Sequence, residues 1–179
     1  MNQSNTRLAH AFVDESRRSA TYLLAAAVIP AGSVRPIRTL MRSLRMPGAR
    51  RIHFKHERDA VRKDIAAAVV EAPVRARVYT GRGKADEVRQ AALAALVCDL
   101  EPDNLARLVL DSRGEAGDRA DRQLIRATMS GPDAFSYEHL RSHEEPALWV
   151  PDVVAWCWGA GGNWRRRVEA IVDQVRDVG

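Results

Sequence analysis

Two apolar runs near the N-terminus constrain the fold of this chain more than any other feature. Residues 8–14 form the first run and residues 20–29 the second, and only a short polar segment separates them. Both runs are almost continuously apolar, as is typical of strands that are covered on both faces. Because the connection is too short for a crossover, we predict that the two strands pair as an antiparallel hairpin.

Helix and strand patterns alternate along the rest of the chain. Helices are predicted at residues 33–46, 56–70, 85–100, 119–129, 146–158 and 164–175. Further strands are predicted at residues 51–55, 74–80, 106–111 and 134–138, and a polar loop at residues 112–118. Strands that alternate with helices after an initial hairpin predict an α/β layer fold with a mixed sheet. A length of 179 residues fits a single domain, which we assign to residues 1–179.

The composition argues against a membrane protein and against a secreted protein held together by disulfides. No run approaches the roughly 18 to 20 consecutive apolar residues of a membrane helix, and the N-terminus lacks the apolar core of a secretory signal. Cys98 and Cys157 are far apart and share no metal-ligand spacing, so we expect free thiols. These features predict a cytoplasmic protein without a membrane partner.

The positive charge of the chain is concentrated in one segment. The net charge is +5, yet residues 16–56 contain no Asp or Glu and nine Arg or Lys. Such a segment is expected of a protein that binds a phosphate backbone, although a solvated surface can also look like this. The residues that we predict to contact nucleic acid, either DNA or RNA, are Arg17, Arg35, Arg38, Arg42, Arg45 and Lys55.

Two aspartates stand at the C-terminal ends of apolar strands. Asp14 ends the first strand, and Asp111 ends the strand at residues 106–111. Sheets of α/β proteins bind their ligands at this edge, and two neighbouring parallel strands would bring both carboxylates within reach of one metal ion. The alternative is that both acids simply end strands and accept backbone hydrogen bonds in turns.

A third aspartate lies on a predicted helix between two tryptophans. Trp149, Asp152 and Trp156 share one stripe of the helix, so tryptophans packed in the core would carry Asp152 inward. A carboxylate there is costly unless a cation or hydrogen bonds compensate it, and clustered acids repel one another. Oxygen ligands suit Mg²⁺ or Mn²⁺, and two such ions would support phosphodiester hydrolysis. We therefore predict a carboxylate cluster that binds Mg²⁺ or Mn²⁺.

Four short motifs of this sequence resemble a known family. FVDES at residues 12–16, YLLAAAVI at 22–29, LVLDSR at 108–113 and PDVVAW at 151–156 resemble, in the same order, the bacterial family called domain of unknown function 3800. That family is assigned to the ribonuclease H-like superfamily. The resemblance implies a ribonuclease H-like α/β fold, with a mixed sheet flanked by helices. It also implies a metal-dependent nuclease in which Asp14, Asp111 and Asp152 are the catalytic and metal-binding residues.

The ribonuclease H-like pattern often includes a fourth carboxylate, for which several residues compete. Those residues are Glu15, Glu57, Glu138 and Glu145. Glu138 stands at a strand end, and we rank it first as a fourth catalytic residue. Glu15 belongs to the first motif and is a further candidate metal ligand, although a regular strand would turn it away from Asp14.

Two departures from the family pattern leave other functions open. Arg17 replaces the glycine that usually follows Asp-Glu-Ser, and Pro151 replaces the alanine before Asp152, which fits if the helix restarts or bends there. If Arg17 paired with Asp14 in place of a metal ion, the chain would be a non-catalytic module that binds nucleic acid or a protein. A third possibility is a hydrolase that acts on nucleotides or other small phosphates. Two further alternatives involve histidines. His53 and His56 could be metal ligands, and His139 or His143 could serve as a general acid or base.

Overall fold

Strands and helices alternate as the sequence predicts. The computed structural model describes residues 9–179, and in that range a six-stranded mixed sheet is covered by helices on both faces. The strands are β1 (Ala9–Arg18), β2 (Thr21–Pro30), β3 (Arg75–Arg82), β4 (Leu105–Asp111), β5 (Ser136–Leu140) and β6 (Val172–Asp177). The α-helices are α1 (Val34–Leu44), α2 (Asp59–Glu71), α3 (Ala85–Leu100), α4 (Glu115–Thr128), α5 (Trp149–Ala160) and α6 (Gly162–Val168). The predicted α/β class is confirmed, whereas Leu8, predicted to begin the first strand, lies outside the described residues.

The two N-terminal strands form the centre of the sheet. The strand order is β5-β4-β1-β2-β3-β6, with β1 antiparallel to β2 and β2 antiparallel to β3. β4 lies parallel to β1, β5 parallel to β4, and β6 parallel to β3. The predicted hairpin is therefore confirmed, and its turn includes Ser19, which has a left-handed φ of 51°.

Helices bury both faces of β1, which explains its uninterrupted apolar sequence. Phe12 packs in the core that the sheet forms with α1, α2, α5 and α6. Ala11 and Val13 point the other way, into the core that the sheet forms with α3 and α4. Because successive side chains of a strand alternate between faces, the residue that follows Val13 returns to the α5 face.

The strand predicted at residues 51–55 is wrong. These residues form an irregular segment that ends in a 3-10 turn at Phe54–His56. Ile52 and Phe54 are buried in the α5-side core, while His53 between them is exposed. Anchoring of a loop on the core, rather than strand pairing, produces this alternation of buried and exposed residues.

The C-terminal helix predicted at residues 164–175 ends early. α6 stops at Val168, and the following residues form β6 alongside β3. Without β6, β3 would expose a row of unpaired backbone N–H and C=O groups. Arg75 and Arg77 of β3 form ion pairs with Asp173 of β6. These tertiary contacts override the helical periodicity of the sequence.

Other boundaries also differ from the prediction by a few residues. β1 continues four residues past Asp14 to Arg18 and pairs with β2 over this length, so Asp14 lies within the strand and does not end it as predicted.

The polar loop predicted at residues 112–118 is shorter, because α4 already begins at Glu115. Asp118 of α4 accepts hydrogen bonds from Ser112 Oγ at 2.7 Å and from the backbone N–H of Arg113 at 2.9 Å, which hold the loop against the helix. The fifth strand covers Ser136–Leu140 rather than residues 134–138.

Within residues 9–179, no helix is both long and apolar enough to cross a membrane. In the same range Cys98 is exposed, Cys157 is buried, and both are free cysteines.

Gly81 lies where α3 packs closely on β3, and its replacement tests this contact. A Cβ at position 81 would lie 2.5 Å from Cγ1 of Val88, a stiff β-branched side chain in the first turn of α3. We expect Gly81→Ala to lower the free energy of unfolding by about 1 to 3 kcal/mol, as overpacking usually does. Urea unfolding followed by circular dichroism measures the loss.

Gly32→Ala is the matched control, because a Cβ there meets no atom within 4 Å. In the double variant Gly81→Ala/Val88→Ala the loss of stability should be smaller than the sum of the two single losses. Equal stabilities of Gly81→Ala and Gly32→Ala would contradict the packing described.

Candidate active site

β1 and β4 bring two of the predicted acids side by side. The two strands are parallel, and Val13 lies opposite Leu110, so the next residues, Asp14 and Asp111, are neighbours. Side-chain alternation turns both carboxylates toward the face that α5 covers. Neighbouring parallel strands were the condition for a shared site, and the structure meets it.

α5 carries the third predicted acid to the same face. Asp152 lies in the first turn of α5, which packs on β1 and β2. Trp149 is buried, and its indole Nε1 donates a 2.5 Å hydrogen bond to the backbone oxygen of Ser142, which fixes the start of the helix. The helix restarts here after a 3-10 turn at Pro146–Leu148. Pro151 therefore falls in a first turn, where backbone N–H groups have no partner within the helix.

Burial and mutual repulsion raise the pKa values of the three acids, all of which are half-buried. Burial is the largest cause of a pKa of Asp14 well above its usual range, and the charges of Asp152 and Asp111 raise it further. Burial also raises the pKa of Asp111, and it raises the pKa of Asp152 to about 6. The three carboxylates lie within electrostatic reach of one another, so a cation would relieve their repulsion.

Backbone donors and one arginine compensate part of this negative charge. The backbone N–H of Phe54 donates to Asp152 Oδ2 at 3.4 Å, and the backbone N–H of Ser142 donates to the carboxylate of Asp111. The positive charge of Arg51 lowers the pKa of both aspartates. The irregular segment at residues 51–54 thus supplies groups of opposite polarity to the acids.

The donor chemistry fits a hard divalent ion, although the side chains do not form a complete cage. Carboxylate oxygens are the ligands that Mg²⁺ and Mn²⁺ prefer. Among residues 9–179, no group of three or more His, Cys, Asp or Glu side chains is arranged to hold a metal ion. Mg²⁺ usually binds one or two carboxylates and takes its other ligands from water and phosphate. Asp14 and Asp111 border a cavity of about 50 Å³, which has room for water, so they fit a site that a substrate would complete.

Glu15 lies on the opposite face of the sheet from Asp14. It accepts hydrogen bonds from the hydroxyl of Tyr22 and from Arg89 of α3. Arg89 is buried and also pairs with Asp121 of α4 at 2.6 Å. Glu15 is engaged in this network, but it also borders the cavity of about 50 Å³ beside Asp14 and Asp111, and its charge raises the pKa of both.

Glu138 and Glu145 are also engaged away from the three aspartates. Glu138 of β5 lies two residues before the level of Asp111 and pairs with Arg107. Glu145 is buried and accepts two hydrogen bonds from the guanidinium of Arg38, at 2.8 and 2.5 Å. Both glutamates therefore form ion pairs with arginines that are not part of the aspartate cluster.

The basic residues predicted to contact nucleic acid fall into two groups. Arg38 is tied to the buried Glu145, whereas the other five are exposed: Arg17, Arg35, Arg42, Arg45 and Lys55. The guanidinium of Arg17 lies 5.8 Å from the centre of the Tyr22 ring. Arg17 follows Asp14 by an odd number of positions, so its side chain leaves the strand on the other face. Arg51, rather than Arg17, is the arginine that acts on the acids.

Three hydrogen-bonding or charged groups of this site are not evident from the sequence. The first is the guanidinium of Arg51, a residue of the basic segment that was predicted to lie on a strand. Ser142 and Phe54 act through backbone N–H groups, which leave no trace in a pattern of side chains. One signal was available, because the apolar Ile52 and Phe54 stand alone in a basic stretch, as is typical of a loop anchored on a core.

A groove runs along the same face of the sheet beyond α5. Its volume is about 670 Å³, and its lining includes Arg18, Arg82, Arg165 and Trp158. Arg18 follows Asp14 on β1 by four residues, a distance of about 13 Å along a strand. The groove is positively charged overall, with Asp177 as its acidic lining residue, and none of the three aspartates lines it.

Comparison with known proteins identifies the architecture. No family model matches the chain, and no curated protein matches it. Ribonuclease H2 from Pyrococcus horikoshii OT3 aligns with a TM-score of 0.58 and 14% identity, over 83% of this chain and 71% of that one. RNase HII from Archaeoglobus fulgidus, solved in complex with PCNA, aligns with a TM-score of 0.57 and 15% identity, over 82% of this chain and 69% of that one.

The fold is ribonuclease H-like. At these identities the comparison shows the fold alone, and it confirms the ribonuclease H-like mixed sheet that the sequence resemblance implies. Membership of the narrower family, domain of unknown function 3800, is not shown, because no family model matches. In this ribonuclease H-like chain the three aspartates lie at the C-terminal side of β1 and β4 and at the start of α5.

Asp152 makes the stability of the metal-free protein depend on pH. Its pKa is about 6 in the folded protein and about 4 in an unfolded chain. The stabilising contribution of the protonated acid is complete below about pH 4 and is lost as the pH rises through about 6. As the pH rises from about 4 to 7.5, the free energy of unfolding of Asp152→Asn should therefore increase by roughly 2 kcal/mol relative to that of the wild type.

Urea unfolding in the presence of EDTA at both pH values measures this difference. Asp64→Asn changes an exposed acid of α2 and is the control, which should leave the pH dependence as it is in the wild type. Identical pH profiles for the wild type and Asp152→Asn would show that Asp152 does not belong to a repelling cluster.

Proposed function

We propose that this protein is a nuclease that hydrolyses phosphodiester bonds of nucleic acid with Mg²⁺ or Mn²⁺, and that it is a divergent member of the family that its motifs resemble. The observation that carries the proposal is the placement of Asp14 and Asp111 side by side on neighbouring parallel strands, with Asp152 on the same face. Burial raises the pKa values of the three acids, and a bound cation would favour their charged forms. The fold of two proteins named as ribonucleases supports the same class of activity.

In this proposal each aspartate has a separate task. Asp14 and Asp111 hold the divalent ion, which when bound lowers the pKa of a water molecule and stabilises charge on the leaving oxygen. Asp152, whose pKa is about 6, would add its carboxylate oxygens to the same set of protein ligands. Ser142 and Phe54 keep Asp111 and Asp152 oriented through their backbone N–H groups.

The groove beyond α5 supports nucleic acid as the substrate. Arg18, Arg82 and Arg165 line it, and none of the three forms an ion pair within residues 9–179. Arginines without an ion pair along a groove suit a phosphate backbone, which supplies most of the affinity of nucleic-acid binding. Arg165 also donates to the backbone oxygen of Trp158, and Arg18 lies over the ring of Trp156. A strand bound there would lie beside α5, which packs on β1.

A second function is favoured by one observation. Arg51 already acts as a cation on Asp111 and Asp152, and the acids do not form a complete cage. A protein in which Arg51 replaced the metal ion would keep the fold and the basic groove as a non-catalytic nucleic-acid-binding module. The two predictions below separate this module from the nuclease.

Titration with Mn²⁺ tests the metal site. The wild type should become more stable to heat as Mn²⁺ is added, because the ion relieves the repulsion among the acids. Asp111→Asn should lose this rise, whereas Glu138→Gln should keep it, since Glu138 pairs with Arg107 outside the cluster. Differential scanning fluorimetry measures both variants. A flat response of the wild type would favour the binding module.

Cleavage and binding assays test the activity. Asp14→Asn should abolish cleavage of labelled oligonucleotides while binding stays the same or tightens, because one negative charge near the phosphate is removed. Affinity should fall steeply with salt if the phosphate backbone is bound. Activity that responds little to salt would instead indicate a hydrolase of small phosphates. Cleavage by Asp14→Asn at the wild-type rate would overturn the proposal.

A further inference from the structure

A cleft beside Asp111 has no task in the mechanism above. It has a volume of about 420 Å³ and lies between the loops that follow β4 and β5. Arg51, Arg141 and His143 are its basic lining residues, and Asp111 lines it as well. We call it the Arg51 cleft.

Arg51 is a half-buried arginine whose hydrogen-bond partners are uncharged. Its guanidinium donates to Ser142 Oγ and to His53 Nε2, and within residues 9–179 it forms no ion pair. Among residues 9–179, five other buried or half-buried arginines pair with carboxylates, whereas the half-buried Arg122 of α4 has no ion pair; the five are Arg38, Arg62, Arg77, Arg89 and Arg107. The charge of Arg51 is therefore held in place but only partly compensated.

Arg141 adds a second uncompensated guanidinium to the cleft. It follows Leu140, which lies opposite Asp111 in the pairing of β4 with β5. Its side chain is exposed and has neither an ion pair nor a hydrogen bond to any described residue, although its backbone N–H donates to Glu144. His143, the third basic residue, lies 4.0 Å from that glutamate.

We propose that the Arg51 cleft binds a backbone phosphate of the nucleic acid next to the bond that is cleaved, with Arg51 and Arg141 as its ligands. This inference rests on the proposed nuclease function and names a subsite of it. Guanidinium groups match phosphate oxygens with two parallel hydrogen bonds, which makes arginine the usual residue for such contacts. A phosphate here would neutralise the charge of Arg141 and the part of the Arg51 charge that Asp111 and Asp152 do not compensate.

The chemistry of the lining favours the backbone over the bases. The described lining residues are polar or small, and they include no Phe, Tyr or Trp on which a base could stack. Contacts to phosphate carry no sequence information. The cleft should therefore hold any nucleic-acid strand in the same register relative to Asp111, whatever its sequence.

A phosphate in the Arg51 cleft would also complete the metal site. Its oxygens would stand next to Asp111, where the described acids alone do not form a complete set of ligands. Mg²⁺ commonly shares its coordination between carboxylates and substrate phosphate. The acid pair and the arginine pair then act on the same substrate group from two sides.

Binding measured in EDTA tests the cleft without involving the metal. Arg141→Gln removes an exposed guanidinium that has no ion pair. Arg51→Lys keeps the positive charge but loses the planar guanidinium that can donate two parallel hydrogen bonds to a phosphate. Both should weaken binding of a short single-stranded oligonucleotide about tenfold or more. Arg141→Gln, which removes a charge, should also reduce the slope of log affinity against log salt concentration by about 0.7 to 0.9, whereas Arg51→Lys, which keeps the charge, should leave the slope nearly unchanged. Fluorescence anisotropy over a range of salt concentrations gives both quantities.

Arg126→Gln is the matched control, because Arg126 is an exposed arginine of α4 on the opposite face of the sheet. Inorganic phosphate is the second probe, and it should shift the backbone amide signals of Gly114 and Ser142 in the wild type but not in Arg141→Gln. Affinities of Arg141→Gln and Arg51→Lys equal to that of Arg126→Gln would overturn the subsite.

The subsite and the nuclease can fail separately. Phosphate binding that Arg141→Gln abolishes, without any Mn²⁺-dependent cleavage by the wild type, supports the subsite and removes the nuclease. Cleavage that proceeds unchanged in Arg141→Gln and Arg51→Lys keeps the nuclease and overturns the subsite. A wild type that binds neither phosphate nor oligonucleotide overturns the subsite directly.

Discussion

Repulsion among three half-buried carboxylates is the constraint on which the rest of this structure depends. Two parallel strands deliver Asp14 and Asp111, and the first turn of α5 delivers Asp152. Burial of charge without compensation is costly, so the surroundings must supply opposite polarity. Backbone N–H groups and the guanidinium of Arg51 do so in part. What they leave uncompensated is the electrostatic basis for binding a cation.

The acids on the two faces of β1 differ in how well their charges are compensated. On the Glu15 side, Arg89 and its acidic partners form a paired network. Burial by itself would raise the pKa of Asp121 there, but hydrogen bonds from His139 and Arg89 hold it well below its usual range. On the Asp14 side, the pKa values of the acids are raised instead. The paired side acts as a scaffold, and the other side keeps its charge available for a ligand.

The features of this protein that depend on local sequence patterns can be predicted from the sequence. The hairpin is predictable because its strands are apolar on both faces, and Asp111 because it ends such a strand, whereas β1 continues past Asp14 to Arg18. Residues 172–177 illustrate the limit, since their helical spacing was overridden by pairing with β3. Arg51 illustrates it again: its position depends on Ser142, 91 residues away, and no local pattern contains that contact.

Ser142 joins parts of the site that arise from distant stretches of the chain. Its N–H holds Asp111, its hydroxyl holds Arg51, and its carbonyl holds the indole of Trp149 at the start of α5. The connection between β5 and α5 is therefore not an ordinary surface loop. An insertion or deletion there would displace an acid, a cation and a helix together, so the length of this connection should vary less among related chains than its exposed side chains do.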